Sequence, residues 1–186
     1  MEENQYQEAK KLFLDYAGNT YFMYREGDLD RYNSYEVPYE LEHEWMGGYI
    51  RSRIDELKKE TVIRRMEYLS SVIAESVGAY GTGPETLSFL YEYWMENEEK
   101  FDTFINIRMG ENMNIGICRY KEKFGNDDMV QQMEDEIRQY LKELLQKDVY
   151  LSEETLEHPV MSVYDPSPDR LKKRINNLLD KFGIKH

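Results

Sequence analysis

The sequence predicts an all-α fold, a compact bundle of about six to seven helices, on three observations. Apolar residues recur at three- and four-residue spacing along most of the chain. Glycine and proline fall where these stretches stop and start, as helix ends favour. The 186 residues are 40% hydrophobic and 13% aromatic, enough for a core without disulfide or metal staples despite a formal net charge of −13. At this length the chain reads as a single domain, 1–186, or as two packed lobes meeting near 78–83. A HEAT-like α-solenoid is the alternative architecture. One short β element near 20–24 or 112–120 is compatible with either.

The elements follow in order. Tyr6, Ala9, Leu12, Phe13 and Tyr16 form one stripe, which predicts a helix over 3–17 stopped by Gly18. Tyr21-Phe22-Met23-Tyr24 is an apolar run that suits a short strand or an irregular aromatic loop. Gly27, Asp28, Asp30, Asn33 and Ser34 after it are turn formers. Pro38 suits the first turn of a helix over 39–59, with Leu41, Trp45, Tyr49, Ile54 and Leu57 as its stripe. Gly47-Gly48 interrupts that stripe. Two glycines cost about 2 kcal/mol against alanine in a helix interior, which predicts a kink, a break or a close helix contact.

Val62, Met66, Leu69, Ile73 and Val77 continue the helical spacing to Gly78, and 78–83 is the clearest break in the chain. Thr82 or Gly83 then caps a helix that has Pro84 at its first position and Glu85 at its positive dipole end. Leu87, Leu90, Tyr91, Trp94 and Phe101 share a face. Asp102 opens a short helix over Thr103–Met109. In 110–120, Gly110 and Gly116 interrupt the pattern, and Met113, Ile115 and Ile117 alternate with polar residues or glycine, so this stretch reads as a strand or a loose helix. Asn126 or Asp127 opens the strongest helix, to about Lys147, striped by Val130, Met133, Ile137, Tyr140, Leu141, Leu144 and Leu145. Residues 148–166 are loop-like, punctuated by Pro159 and Pro166. Ser167-Pro168-Asp169 starts a last helix that buries Leu171, Ile175, Leu178, Leu179 and Phe182 and ends at Gly183. Stretches closing at Gly18, Gly78, Gly125 and Gly183 are 60, 47 and 58 residues apart. A solenoid wants a fixed period, so the unequal intervals favour the bundle.

Charge excludes several functions. An excess of carboxylates repels phosphate, so no nucleic acid and no anionic membrane surface is expected as partner. Cys118 stands alone, which excludes an intrachain disulfide. The start of the chain lacks a secretory pattern, and no stretch approaches the roughly 20 apolar residues of a membrane helix, so a cytoplasmic protein is expected. The acids are clustered. Residues 26–44 carry seven acids and one base, 85–102 six and one, 127–136 five and none, and 148–169 six and none. The segment 170–186 reverses this with six bases and one acid. Its expected role is to dock its apolar stripe on the bundle with its lysines near acidic neighbours.

Catalytic chemistry finds no foothold. There is no nucleophile elbow and no phosphate-binding glycine loop. Cys118 lies in the mostly apolar run Ile115–Arg119 and reads as a structural thiol. Glu40-Leu41-Glu42-His43 is half of a carboxylate-bridged di-iron pattern, and the second half fails because Glu154 and His158 are four apart and precede Pro159. Asp28–Asn33 resembles the start of a calcium loop without its glycine. No catalytic residue, metal or cofactor is expected.

Of the sixteen tyrosines, eight fall between Tyr6 and Tyr49. Tyrosine beside carboxylates suits a cationic protein surface, since guanidinium and ammonium groups pair with the acids and lie on the rings. The expected partner-binding residues are Tyr21, Tyr24, Asp28, Asp30, Tyr32, Tyr35, Glu36, Tyr39 and Glu40. In charge and size alone, the chain resembles the immunity proteins and antitoxins that block basic nucleases, a likeness that transfers no residue roles. The expected function is thus a non-enzymatic protein–protein interaction or regulatory protein with a basic partner, in the manner of such an inhibitor. Two alternatives are a helical enzyme or small-ligand binder with Trp45, Trp94 and His43 around a pocket near 78–83, and a helical-repeat scaffold or homo-oligomer.

Overall fold

A computed structural model describes residues 3–18, 28–80, 83–152 and 167–183. Among these residues every regular element is helical, with eight α-helices and one 3-10 turn. The chain divides into two compact units, Met1–Glu60 and Thr61–His186. Within the second unit, Gly78–Tyr80 are the last residues of one helix and Pro84 is the first of the next.

The first unit holds α1 (Glu3–Gly18), the short α2 (Asp28–Asn33) and α3 (Tyr39–Leu57). The turn formers of 28–33 thus make a helix of one and a half turns, with Asp28 and Asp30 in its first turn, where the helix dipole favours them. Ala9 and Phe13 of α1 meet Trp45, Met46, Ile50, Ile54 and Leu57 of α3 in the core. The contact is aromatic. Phe13 lies 5.7 Å from Trp45 and stacks at 6.0 Å on Tyr32, while Tyr6 stands edge-on to Trp45 at 5.3 Å. Helix α3 runs through Gly47-Gly48 without a break. Among the described residues, the only side chain near enough to meet a Cβ at either glycine is that of Arg51, one turn on.

The second unit holds α4 (Ile63–Tyr80), α5 (Pro84–Asn97), the 3-10 turn Glu98–Lys100, α6 (Thr103–Phe124), α7 (Asp128–Gln146) and α8 (Pro168–Gly183). Helix α6 is the axis of the unit and packs on α4, α5, α7 and α8. Its ends are firmly set. The Asp102 carboxylate accepts the Ile105 N–H at 2.9 Å, and Gly125 closes the helix at φ 89°, a left-handed conformation that favours glycine. Asp127 caps α7 in the same way through the Val130 N–H at 3.0 Å. Gly83 precedes Pro84 at the start of α5, as the sequence predicts.

Of the strand and the loose helix that 110–120 allowed, the structure has the helix: α6 is continuous over 22 residues, beyond the short helix expected at Thr103–Met109. The glycines that broke the periodicity are packing residues. A Cβ on Gly110 would lie 2.8 Å from Leu178 and 3.4 Å from Trp94, and one on Gly116 would lie 3.0 Å from Val77. Gly78 has the same role and sits inside α4, where a Cβ would come within 3.1 Å of Asn112. The close approach of α4, α5 and α8 to α6 offsets the roughly 1 kcal/mol that each helical glycine costs. The other proposed β element, 20–24, lies outside the described residues.

Candidate functional site

In the first unit the expected site residues separate into two groups. Tyr21 and Tyr24 lie outside the described residues. Tyr32 and Tyr35 turn inward. The Tyr32 hydroxyl donates to Glu42 of α3, and that of Tyr35 donates to Glu8 Oε2 of α1 at 2.6 Å. Glu8 also pairs with Arg31. The Tyr35 hydroxyl and then Arg31 hold the Glu8 carboxyl below its ordinary range. These rings tie the three helices together, and their hydroxyls are committed to internal carboxylates.

The second group faces out. Asp30, Glu36, Tyr39 and Glu40 are exposed, with Asp28 half-buried. Tyr39 is 62% exposed, its ring edge-on to that of His43 at 4.2 Å. Glu36 adopts φ 47°, the left-handed region that non-glycine residues rarely enter. Its N–H donates to the Asn33 carbonyl at 3.3 Å and the Tyr35 N–H to that of Tyr32 at 3.0 Å, so Glu36 takes the place a glycine usually holds beyond a helix end. That turn carries the chain to Pro38 and leaves Glu36, Tyr39 and Glu40 on the surface.

The second unit assembles a larger acidic face. Glu85, Glu92, Glu96 and Glu99 are all exposed. At positions i, i+7, i+11 and i+14 they form one stripe on α5 and its 3-10 extension, opposite the buried Leu87, Leu90, Trp94 and Asn97. Helix α7 runs alongside. The Tyr91 hydroxyl donates to Glu136, Ser88 Oγ lies 3.3 Å from Met129 Sδ, and Trp94 meets Tyr140 edge-on at 5.5 Å. Exposed Glu136 and Glu143 of α7, with Asp128 at its start, therefore extend the α5 stripe, while Asp135 pairs with Arg138 at 3.6 Å. The Tyr91 and then the Gln132 hydrogen bonds lower the Glu136 carboxyl, and burial with Glu136 beside it raises the Tyr91 phenol. The acidic blocks 85–102 and 127–136 are both legible in the sequence, as is the spacing within α5; their meeting is tertiary.

The opposite flank of α7 is basic. Leu171, Ile175, Leu178 and Phe182 of α8 are buried, as expected for a docked terminal helix. Arg138, two residues from Glu136 and so on the other side of α7, donates to the Phe182 carbonyl. Arg174 grips Glu111 of α6 through two hydrogen bonds of 2.7 and 3.1 Å and lies over the Phe104 ring at 5.2 Å. Arg170, Lys173 and Lys181 stay exposed. The surface thus grades from acidic α5 across α7 to basic α8.

Buried polar groups gather where α4 meets the start of α6. Glu67 is 4% exposed, accepts the Asp102 N–H at 2.9 Å and lies 3.4 Å from Arg64. Burial is the main cause that raises its carboxyl above the ordinary range. Asp102 is fully buried, and the adjoining Thr103 exchanges hydrogen bonds with Tyr150, its N–H donating to the Tyr150 carbonyl and its hydroxyl oxygen accepting the Tyr150 N–H. One turn along α6, Asn106 accepts from the Trp94 indole N–H at 2.8 Å.

The groups named for the catalytic alternative lie in separate places. Trp45 and Trp94, the expected pocket walls, are each buried in a different unit's core. Cys118 is half-buried, and burial pushes its thiol up, away from the reactive thiolate. Among the described residues no three His, Cys, Asp or Glu side chains come together to hold a metal ion. His158 lies outside them. No described helix is long and apolar enough to cross a membrane. Comparison with protein-family models, curated proteins and solved structures finds no match to this chain.

Proposed function

We propose that this chain is a non-enzymatic cytoplasmic interaction protein that offers carboxylate-bearing helix faces to a basic protein partner, in the manner of an immunity- or antitoxin-type inhibitor. The observation that carries the reading is the exposed row Glu85, Glu92, Glu96 and Glu99, extended by Asp128, Glu136 and Glu143 on α7. Like charges held in fixed rows on packed helices add their fields. Such a surface raises the encounter rate with a cationic partner and turns away anions. The exposed trio Glu36, Tyr39 and Glu40 gives the first unit a smaller face of the same chemistry, with a ring on which a guanidinium can lie. The lone cysteine fits a reducing compartment.

The test is affinity capture from the native host with three baits: wild type, Glu92→Lys/Glu96→Lys/Glu99→Lys, and Glu36→Lys/Glu40→Lys. The expected result is a basic protein held by wild type and lost by the triple variant. Its association rate falls about tenfold or more between low and high salt. Loss confined to the double variant moves the contact to the first unit. A partner that both variants retain, or whose association ignores salt, removes the mechanism.

A further inference from the structure

We propose that Glu67 is a proton-sensitive latch between α4 and the first turn of α6, closed more firmly when its carboxyl carries a proton. Its surroundings are built for contact and poorly built for charge. The side chain is 4% exposed, and its Oε1 accepts the backbone N–H of Asp102, the residue whose own carboxylate caps α6. The charged groups that face Glu67 are Arg64 from its own helix, at 3.4 Å and partly open to water, and Asp102 from the turn before α6, fully buried. One is a long contact. The other has the same sign. Ser70 and Ser71, the next residues along that face of α4, are buried, yet among the described residues their hydroxyls make no hydrogen bond.

Two neighbouring buried carboxylates repel each other when both are charged, and Glu67 lacks the hydration it would have in water. The least costly relief is a proton on one of them. The Asp102 carboxylate is engaged as the cap of α6 through the Ile105 N–H. The proton therefore goes to Glu67, whose remaining carbonyl oxygen still accepts the Asp102 N–H. Protonated, Glu67 keeps the bond and loses the repulsion. Ionised, it keeps the bond and adds the repulsion at the point where α4 meets the cap of α6 and, one residue on, the Thr103–Tyr150 exchange. The sign follows. A carboxyl raised in the folded state contributes stability that is fully present below the unfolded value near 4.5 and is lost as pH rises through the folded one.

The test compares the full chain with Glu67→Gln, which keeps an acceptor for the Asp102 N–H and cannot ionise. The melting temperature of Glu67→Gln should exceed that of wild type at pH 8, and the gap should close as pH falls toward 4. A gap that does not change with pH, or a wild type that is the more stable at pH 8, overturns the latch. A second measurement needs no altered Glu67: a ¹³C carboxyl NMR titration of that residue in wild type and in Asp102→Asn, which retains a capping oxygen. The expected midpoint lies above that of a free glutamate and drops in Asp102→Asn. A midpoint at or below 4.5, or one unmoved by Asp102→Asn, overturns the proposal just as firmly.

Discussion

Glu8 in the first unit and Glu67 in the second are both carboxylates that join one helix to another, and they respond to pH in opposite senses. Glu8 sits at the rim, receives the Tyr35 hydroxyl and Arg31, and is held below its ordinary range. Glu67 sits inside, receives one backbone N–H and a long contact from Arg64, and is raised by burial. The contrast extends to the units. The first is small, and its aromatic core is closed by phenol–carboxylate ties that stay near water. The second has a continuous apolar interior around α6 that encloses Glu67 and Asp102, while its own phenol–carboxylate tie, Tyr91–Glu136, stays at the surface. A carboxylate at a wet rim gains from charge-assisted donors at little desolvation cost, whereas an enclosed one loses hydration that a single N–H does not replace.

The enclosed interior of the second unit depends most on Trp94. This side chain is fully buried between α5, α6 and α7, with its indole N–H on Asn106 and its ring edge-on to Tyr140. Trp94→Ala should destabilise the second unit by about 3–5 kcal/mol, measured by chemical denaturation followed by circular dichroism. The sequence has two tryptophans, so Trp45 is left as the sole fluorescent reporter of the first unit. A loss well under 2 kcal/mol would mean that the second unit is not organised around its enclosed core.

Much of that core was legible in the sequence because helical spacing and burial have the same cause. The stripes Val130, Met133, Ile137, Tyr140, Leu141, Leu144 and Leu171, Ile175, Leu178, Phe182 are the buried faces of α7 and α8. The ambiguity of 110–120 between strand and helix has a physical source. Glycine signals either a chain break or a place where two backbones approach closely, and only the neighbour decides which. For Gly110 and Gly116 those neighbours, Leu178 and Val77, lie 68 and 39 residues away in the chain. The candidate site divides similarly. Glu36, Tyr39 and Glu40 were legible as an exposed group, whereas the inward turn of Tyr32 and Tyr35 depends on Glu42 and Glu8 coming within reach. The α5 stripe is written in the spacing 85, 92, 96, 99; its continuation onto α7 requires the Tyr91–Glu136 contact.

A smaller effect sharpens the pH contrast. Tyr35→Phe removes the hydroxyl that does most to lower Glu8, and the phenyl ring stays. A carboxyl lowered in the folded state contributes stability that is present above its unfolded value, 4.5, and is lost as pH falls through the folded one. The variant should therefore melt modestly below wild type at pH 7, by much less than Trp94→Ala, and the difference should vanish in acid. Glu67→Gln changes in the other direction, with its gap widest at high pH. If both gaps moved the same way, the assignment of one carboxylate to the rim and the other to the interior would fail.

The smallest effect is a gain. Glu36 occupies a left-handed position at the end of α2, where a side chain clashes with its own backbone and glycine does not. Glu36→Gly should stabilise the first unit by about 0.5–1 kcal/mol, once the extra freedom of the unfolded glycine is subtracted. The measurement is the Trp45 fluorescence transition in denaturant, read in a Trp94→Phe background. Position 36 thus holds a carboxylate where glycine is the easier residue, next to exposed Tyr39 and Glu40. If that strain persists because the first unit's face takes part in binding, Glu36→Gly will raise stability and weaken capture of the basic partner together. A stabilised variant that binds as wild type does would leave the contact to α5 and α7, and the left-handed glutamate would then serve only to turn the chain toward Pro38.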